Sequence, residues 1–566
     1  MVAVSRRIFG YVLPDADVCG TRCAIMAEHG RSVCRRWHLK CLHALFRHGM
    51  LFAAARLVGS MISFSVCPEN GGTRFAHSAA FRLPGADLSE TAMRYNTVKE
   101  KTNMDEVKNL EDSVYYKRKN GFRDLSASEV DEAYAYAEQY KKFLDASKTE
   151  REAVCYAVSA AEEKGYRPYH FGDKLAEGGK YYFNNRGKSL YLFRIGTEKP
   201  EELGIAISAA HIDSPRLDLK QNPLYEESGM GFFKTHYYGG IKKYQWTAIP
   251  LALHGVVSKT NGETVTVTIG EDESDPVFYI NDLLPHLSAN QMGETLARAI
   301  KGEQLNILLG TRPYSADAKD NGIKLNLMHL FHEKYGIVEE DFQSAELTCV
   351  PAFKARDVGL DRSLIGSYGH DDRVCSYAAL TALLDSGNAH KTAMVILADK
   401  EEIGSEGNTG MQTMLFLDLI DEIALAKGAN PRAVRMRSKC LSADVNAAFD
   451  PNFPDVFEKM NSSYLNGGVC LTKYTGSRGK SGTNDASAEY VAEMRRLFEE
   501  NHVLWQSGEL GKVDQGGGGT VAMYIAKYNI DTVDLGVPVI SMHAPYEIIA
   551  KTDLYMTYKA FCAFNN

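Results

Sequence analysis

The chain has no excess of basic charge. Its 64 Lys and Arg are outnumbered by 72 Asp and Glu, a net charge of −8 over 566 residues with a pI of about 6.1. A phosphate backbone would find no cationic footprint on that balance, which excludes nucleic acid as a partner. A membrane span is also missing from the most apolar early stretch, because Arg47 and Arg56 interrupt every window approaching the roughly 20 apolar residues a span requires. Paired C-x2-C spacing is absent too: Cys19, Cys23, Cys34 and Cys41 with His43 do not form a zinc knuckle. The segment Gly476-Ser477-Arg478-Gly479-Lys480-Ser481 ends like a phosphate loop, but Tyr474 stands where its first glycine should be, so nucleotide binding is excluded.

What remains is the profile of a large soluble globular protein, 45% hydrophobic and 24% charged, long enough for two or more domains. Residues 1–103 read as a basic N-terminal extension. From Arg22 to Cys67 seven basic residues face only Glu28, the composition of an organellar transit peptide or equally of a misassigned start. Of eleven cysteines, the six from Cys155 onward are scattered singly, as reduced thiols are in an intracellular protein, whether cytoplasmic or organellar.

Folded sequence is expected from Met104. Glu129 to Lys164 has the pattern of one helix stopped by Gly165, and a hairpin around Tyr181–Gly187 leads into a strand over 189–194. Residues 203–210, 393–398, 434–441 and 531–540 read as buried strands of an α/β sheet. A helix over 376–386 follows Asp371-Asp372, another fills 411–427, and a glycine run, Gly516 to Gly519, opens a third over 520–528. Between Leu219 and Leu360 the texture is β: YYGGIKKYQW, LALHGVVSKT and TVTVTIGEDESDPVFYI read as strands, with helix confined to 290–301 and 324–335. The expected organisation is a first catalytic part at 104–218, an inserted β-rich domain at 219–360 and a second catalytic part at 361–566.

The strand-like runs end in His211, in Glu401-Glu402, in Asp444 and in His543, and Asp371-Asp372 opens a helix. Adjacent acids alone are more often solvated than functional. In a parallel sheet, however, strand ends share one edge, the edge where open α/β sheets hold ligands. Two imidazoles and three carboxylates suffice for two zinc-like ions if one carboxylate bridges. A ligating carboxylate cannot also shuttle protons freely, so an unligated neighbour is suited to act as base. Asp213, two residues beyond His211, either orients that imidazole or caps a turn.

The motifs HIDSP, DDRVCS, the Glu-Glu pair, SADVN and SMHAPYE, in that order, resemble the aspartyl aminopeptidase and vacuolar aminopeptidase I family of dinuclear zinc metallopeptidases. The resemblance runs from Met104 to the C-terminus. It implies a zinc-peptidase-type mixed sheet flanked by helices, with an inserted, mainly β dimerisation domain. It implies two Zn2+, or other divalent metals, with His211 and Asp444 on one, Glu402 and His543 on the other, Asp371 bridging through a cis bond to Asp372, and Glu401 as general base. It implies removal of N-terminal residues from peptides, with Asp and Glu candidates, and homodimers assembled into a dodecamer. Lys473 would meet acidic side chains, Gly517 and Gly518 would border the substrate, and His286 would reach a partner subunit's site or be an ordinary surface histidine. The family's His-rich stretch after SAD is missing here, where Asn446, Phe449 and Asp450 stand. A zinc carboxypeptidase or deacylase and a non-catalytic scaffold are the competing readings, and an unligated Glu401 argues against the scaffold.

Overall fold

The computed structural model describes residues 104–566 except 318–319 and 388–389, so the readings made on residues 1–103 lie outside the described residues. Of the described residues, 104–113 fall in one unit and 114–566 in another. The first described element is a helix, Met104–Val114.

In the second unit a nine-stranded mixed sheet carries the α/β part. At its centre Thr392–Ala398, Ile205–His211, Lys439–Ala443 and Asp531–Gly536 lie side by side and parallel. These runs are apolar without alternation because both faces are covered. Ala206 and Ala210 pack into a core with Val395, Leu397 and helix residues Val374 and Leu554, whereas Ile205, Ile207 and Ala209 pack into a second core with Met394, Ile396 and Phe416. Each such Ile or Leu contributes about 1.5–3 kcal/mol on burial. The hairpin of Lys180–Asn185 and Ser189–Arg194 extends this sheet in antiparallel register.

A seven-stranded antiparallel sheet is formed by strands between Arg216 and Pro351. Its own core gathers Leu217, Phe233, Trp246, Leu253 and Ile307. A third sheet of five short strands joins Arg356–Val358, Leu364–Ser367, Glu547–Ala550, Pro538–Ile540 and Asn446–Ala447.

Several boundaries differ from expectation, each for a local reason. The single helix expected over 129–164 is two, Ala127–Ala146 and Glu150–Glu163, because Ser126 with Glu129 and Thr149 with Glu152 each close a capping box. The buried Lys148 between them donates to the carbonyls of Pro351 and Phe353. The first half of the strand expected over 434–441 is the end of a helix, Pro431–Arg437, since Asn430 caps it and Pro431 takes its first position; the strand begins at Lys439. YYGGIKKYQW leaves its strand at Tyr238 and turns into a 3-10 helix, Lys243–Trp246. The helix expected over 290–301 is two single turns, Ala289–Met292 and Leu296–Ala299. The expected strand 531–540 is split. Asp531–Gly536 stays in the large sheet and Pro538–Ile540 joins the small one. At Gly536 a Cβ would lie 1.6 Å from the carbonyl oxygen of Asp444, so only glycine fits where the chain crosses.

Candidate metal centre

Three of the parallel strands deliver their acids and first histidine to one edge. His211 ends its strand, Glu401 and Glu402 form a 3-10 turn just beyond Ala398, and Asp444 follows Ala443. Asp371 comes from the start of helix His370–Asp385, where it and Asp372 depart from helical dihedrals, and the Asp371–Asp372 bond is cis, as the resemblance implied. His543 does not come from the large sheet. It follows Pro538–Ile540, which reaches the same place from the five-stranded sheet.

The side chains converge. His211 Nε2 lies 3.2 Å from Asp371 Oδ1 and 3.8 Å from Asp444 Oδ1, while His543 Nε2 lies 3.1 Å from Asp371 Oδ2 and 3.6 Å from Glu402 Oε1. Asp371 therefore turns one oxygen to each histidine. Ligand-type atoms of His211, Glu401 and Asp444, and again of His211, Asp371 and Glu402, lie within 4.8 Å of one another. Asp371 Oδ1 and Glu402 Oε1 are buried without a hydrogen-bond partner.

The electrostatics of this cluster call for positive charge. Burial drives the Glu401 carboxyl up to about 8; His211 draws it down, and Asp444, Asp213 and Asp371 push it further up. Burial also lifts Glu402 and Asp444 above their ordinary values, with Asp371 adding to both. Asp371 is buried too, yet the imidazoles of His211 and His543 hold it low. Desolvation opposes charge on His543, but Asp371 and Glu402 raise it to about 10. Carboxylates crowded in a dry site and relieved only by two imidazoles are suited to cations. Imidazole and carboxylate donors are zinc's ordinary ligands, and the orphaned oxygens of Asp371 and Glu402 are donors awaiting a partner.

The support around these residues is mostly polar and buried. Asp213, fully buried, accepts the backbone N–H of Glu401 at 3.1 Å and of Glu402 at 3.2 Å, and the hydroxyl of Tyr238 at 2.7 Å. Its carbonyl oxygen lies 3.0 Å from His211 Nδ1, which fixes the ring so that Nε2 faces the acids. The carbonyl of Gly240 does the same for His543 Nδ1 at 2.8 Å. Gly239, at φ +74°, favours glycine: a Cβ there would be strained and would crowd Glu402 Oε2 at 3.2 Å. Glu547 accepts the N–H of Asp371 and of His543. The sequence reading passed over Tyr238, Gly240 and Glu547, although SMHAPYE and YYGG contain them. An acid opening the buried strand EIIA was the available signal.

The centre lines a cavity of about 430 Å³ whose far wall includes Thr475, Leu510, Gly517, Gly518 and Tyr524. Gly517 and Gly518 therefore line the cavity that the cluster opens into. Lys473 is half-exposed, is not among the cavity-lining residues and pairs with Asp485, which also pairs with Lys480. His286 is exposed in a 3-10 turn, Pro285–Leu287, and takes no part in the cavity.

The family model described as Aminopeptidase I zinc metalloprotease (M18) matches residues 143–565. A probable M18 family aminopeptidase 1 from Clostridium acetobutylicum is 49% identical over 456 residues, covering 79% of this chain and 98% of its own. One from Thermotoga maritima is 44% identical over 451 residues, covering 78% and 98%. The crystal structure of the M18 aminopeptidase of Thermotoga maritima superposes with a TM-score of 0.76 at 43% identity, over 80% of this chain and all of that one. The mApe1 dodecamer of S. cerevesiae, 21% identical, shares the fold at a TM-score of 0.62 over 76% of this chain and 96% of that one.

Proposed function

The chain belongs to the aminopeptidase I zinc metalloprotease (M18) family and is a zinc aminopeptidase; on that premise we propose how its residues share the work. His211 and Asp444 would hold one divalent ion and Glu402 and His543 a second, zinc by family, and Asp371 would offer an oxygen to each. The observation carrying this reading is that the two oxygens of Asp371 face two different histidines, at 3.2 and 3.1 Å. When bound, the ions supply positive charge that polarises the scissile carbonyl and lowers the pKa of water.

Glu401 is the general base. It is held by its amide to Asp213 and clusters with His211 and Asp444; burial raises its carboxyl, and cations beside it would favour the carboxylate that accepts a proton. It takes a proton from the attacking water and returns it to the leaving amine. Asp213 holds Glu401 and Glu402 at fixed spacing, so base and ligand do not exchange roles. The substrate's free α-amine docks beside the metal seats.

Acidic first residues are favoured, because Lys473 and Lys480 share the single carboxylate of Asp485 and leave one positive charge uncompensated near the cavity. Lys480 lines a second cavity of about 380 Å³ that shares Thr475 and Gly517 with the first. The 219–360 insert mediates dimers, and dimers build a dodecamer. Exposed Leu283, Leu284, Leu287, Met292 and Leu296 on that insert favour this, since apolar side chains clustered at a surface mark interfaces. His286, beside them, is then the residue placed to approach a partner subunit. The enzyme works in a reducing, intracellular compartment, in keeping with six free cysteines among the described residues. Among the same residues no helix is long and apolar enough to cross a membrane.

Turnover of peptides with free N-termini, set against their N-acetylated forms, tests the reading. Cleavage of free peptides alone is expected, and equal cleavage of both would favour a deacylase or carboxypeptidase.

A further inference from the structure

The two histidine arms of the centre are built differently. His211 ends a strand of the large sheet, is 1% exposed, and has its carbonyl held by Ser376 Oγ at 2.6 Å. His543 lies past the end of a three-residue strand in a tight turn at φ +64°, with its side chain 32% exposed. That conformation costs energy for a residue bearing a Cβ and persists only where its surroundings impose it.

What imposes it is Glu547, 1% exposed at the start of Glu547–Ala550. Its Oε1 accepts the backbone N–H of His543 at 2.6 Å, and its Oε2 accepts that of Asp371 at 3.1 Å. One carboxylate thereby fixes the spacing between the exposed histidine and the acid it faces. Asp213 has the matching role on the other side, spanning the amides of Glu401 and Glu402. Among the described residues, the hydrogen bonds of Glu547 go to the two amides of Asp371 and His543 and to none of His211, Glu401 or Asp444.

We propose that Glu547 is a positioning residue that builds the His543 seat, and that this seat fills and empties separately from the one at His211. This rests on the two-ion reading above. A carboxylate offers two acceptors to two amides. Glutamine of the same shape offers one, and turns its NH2 toward the other N–H, donor against donor. Asp371 has a further anchor, the Ser214 hydroxyl donating to its carbonyl at 2.6 Å, so the end that Glu547→Gln sets loose is the His543 turn, while His211 and Asp444 stay at their strand ends.

The test uses the full chain, stripped of metal and equilibrated in zinc buffers of increasing free Zn2+, with bound zinc counted by elemental analysis. The wild type is expected to take up two ions in two steps. In Glu547→Gln the weaker step should move to about 10- to 100-fold higher free zinc, the usual effect of removing a ligand's supporting hydrogen bond, and the tighter step should stay. His543→Ala should lose the weaker step and keep the tighter one, a second reading that stands if Glu547→Gln misfolds. Coincident isotherms for wild type and Glu547→Gln, both steps moving together, or loss of both ions in His543→Ala would overturn the proposal. A wild type holding fewer than two ions would overturn the two-ion reading as well, whereas two ions with an unmoved Glu547→Gln isotherm would overturn the role of Glu547 alone.

Discussion

Tyr238 donates its hydroxyl to Asp213 at 2.7 Å, and in doing so ties the last residue of a strand in the seven-stranded sheet to the acid that holds both members of the Glu401-Glu402 pair. The guanidinium of Arg216 covers the same ring at 4.1 Å. The strand Met230–Tyr238 thereby buttresses the turn that carries Glu401 and Glu402. Tyr238→Phe keeps the ring and removes this one bond to a charged group, worth about 1.5–3 kcal/mol. A fall in kcat of about tenfold or more is expected with the fold intact, measured by peptide hydrolysis alongside thermal unfolding. Unchanged kcat would show that Asp213 does not need the insert.

Glu401→Gln removes a base and keeps the shape. Turnover should fall by a factor on the order of 100 or more, the size of a lost general base, while bound zinc stays at the wild-type count. Full activity in a metal-replete variant would remove Glu401 from the chemistry.

Asp371→Ala should act on the metals themselves. Both histidines face this one carboxylate, so zinc content at limiting metal should drop in both seats, and added zinc should restore little activity. Elemental analysis still finding two ions per chain would contradict a shared ligand.

Lys473→Met separates substrate choice from support of the fold. With the lysine gone, Asp485 keeps Lys480 as a partner and the local excess of positive charge disappears. The ratio of kcat/KM for Asp- or Glu-initiated peptides over Ala-initiated ones should fall by about tenfold or more, matching the roughly 1.5–3 kcal/mol of a charged hydrogen bond. Equal losses on all peptides would assign Lys473 to structure.

Much of the cluster was legible because strands buried on both faces read as apolar runs that end abruptly at polar candidates, as at His211, the Glu401-Glu402 pair and Asp444. His543 was found for a partly mistaken reason. Its run looked like one strand, but the chain passes between two sheets at Gly536, and the cause is the close approach of the Asp444 carbonyl, a contact between residues far apart in sequence. Glu547 and Tyr238 escaped notice on similar grounds: one serves an amide 176 positions away and the other an acid 25 positions away. The divided helix after Ser126 was the avoidable miss, since Thr149 and Glu152 spell out a capping box.

The crossing at Gly536 also bears on the order in which the cluster can close. His543 and Glu547 both lie beyond that crossing, and Glu547–Ala550 must insert between Leu364–Ser367 and Pro538–Ile540 before either can meet Asp371. A growing polypeptide in which every earlier ligand has already folded still has half of its paired histidines missing. The cluster can therefore close only once Glu547–Ala550 has paired on both of its sides.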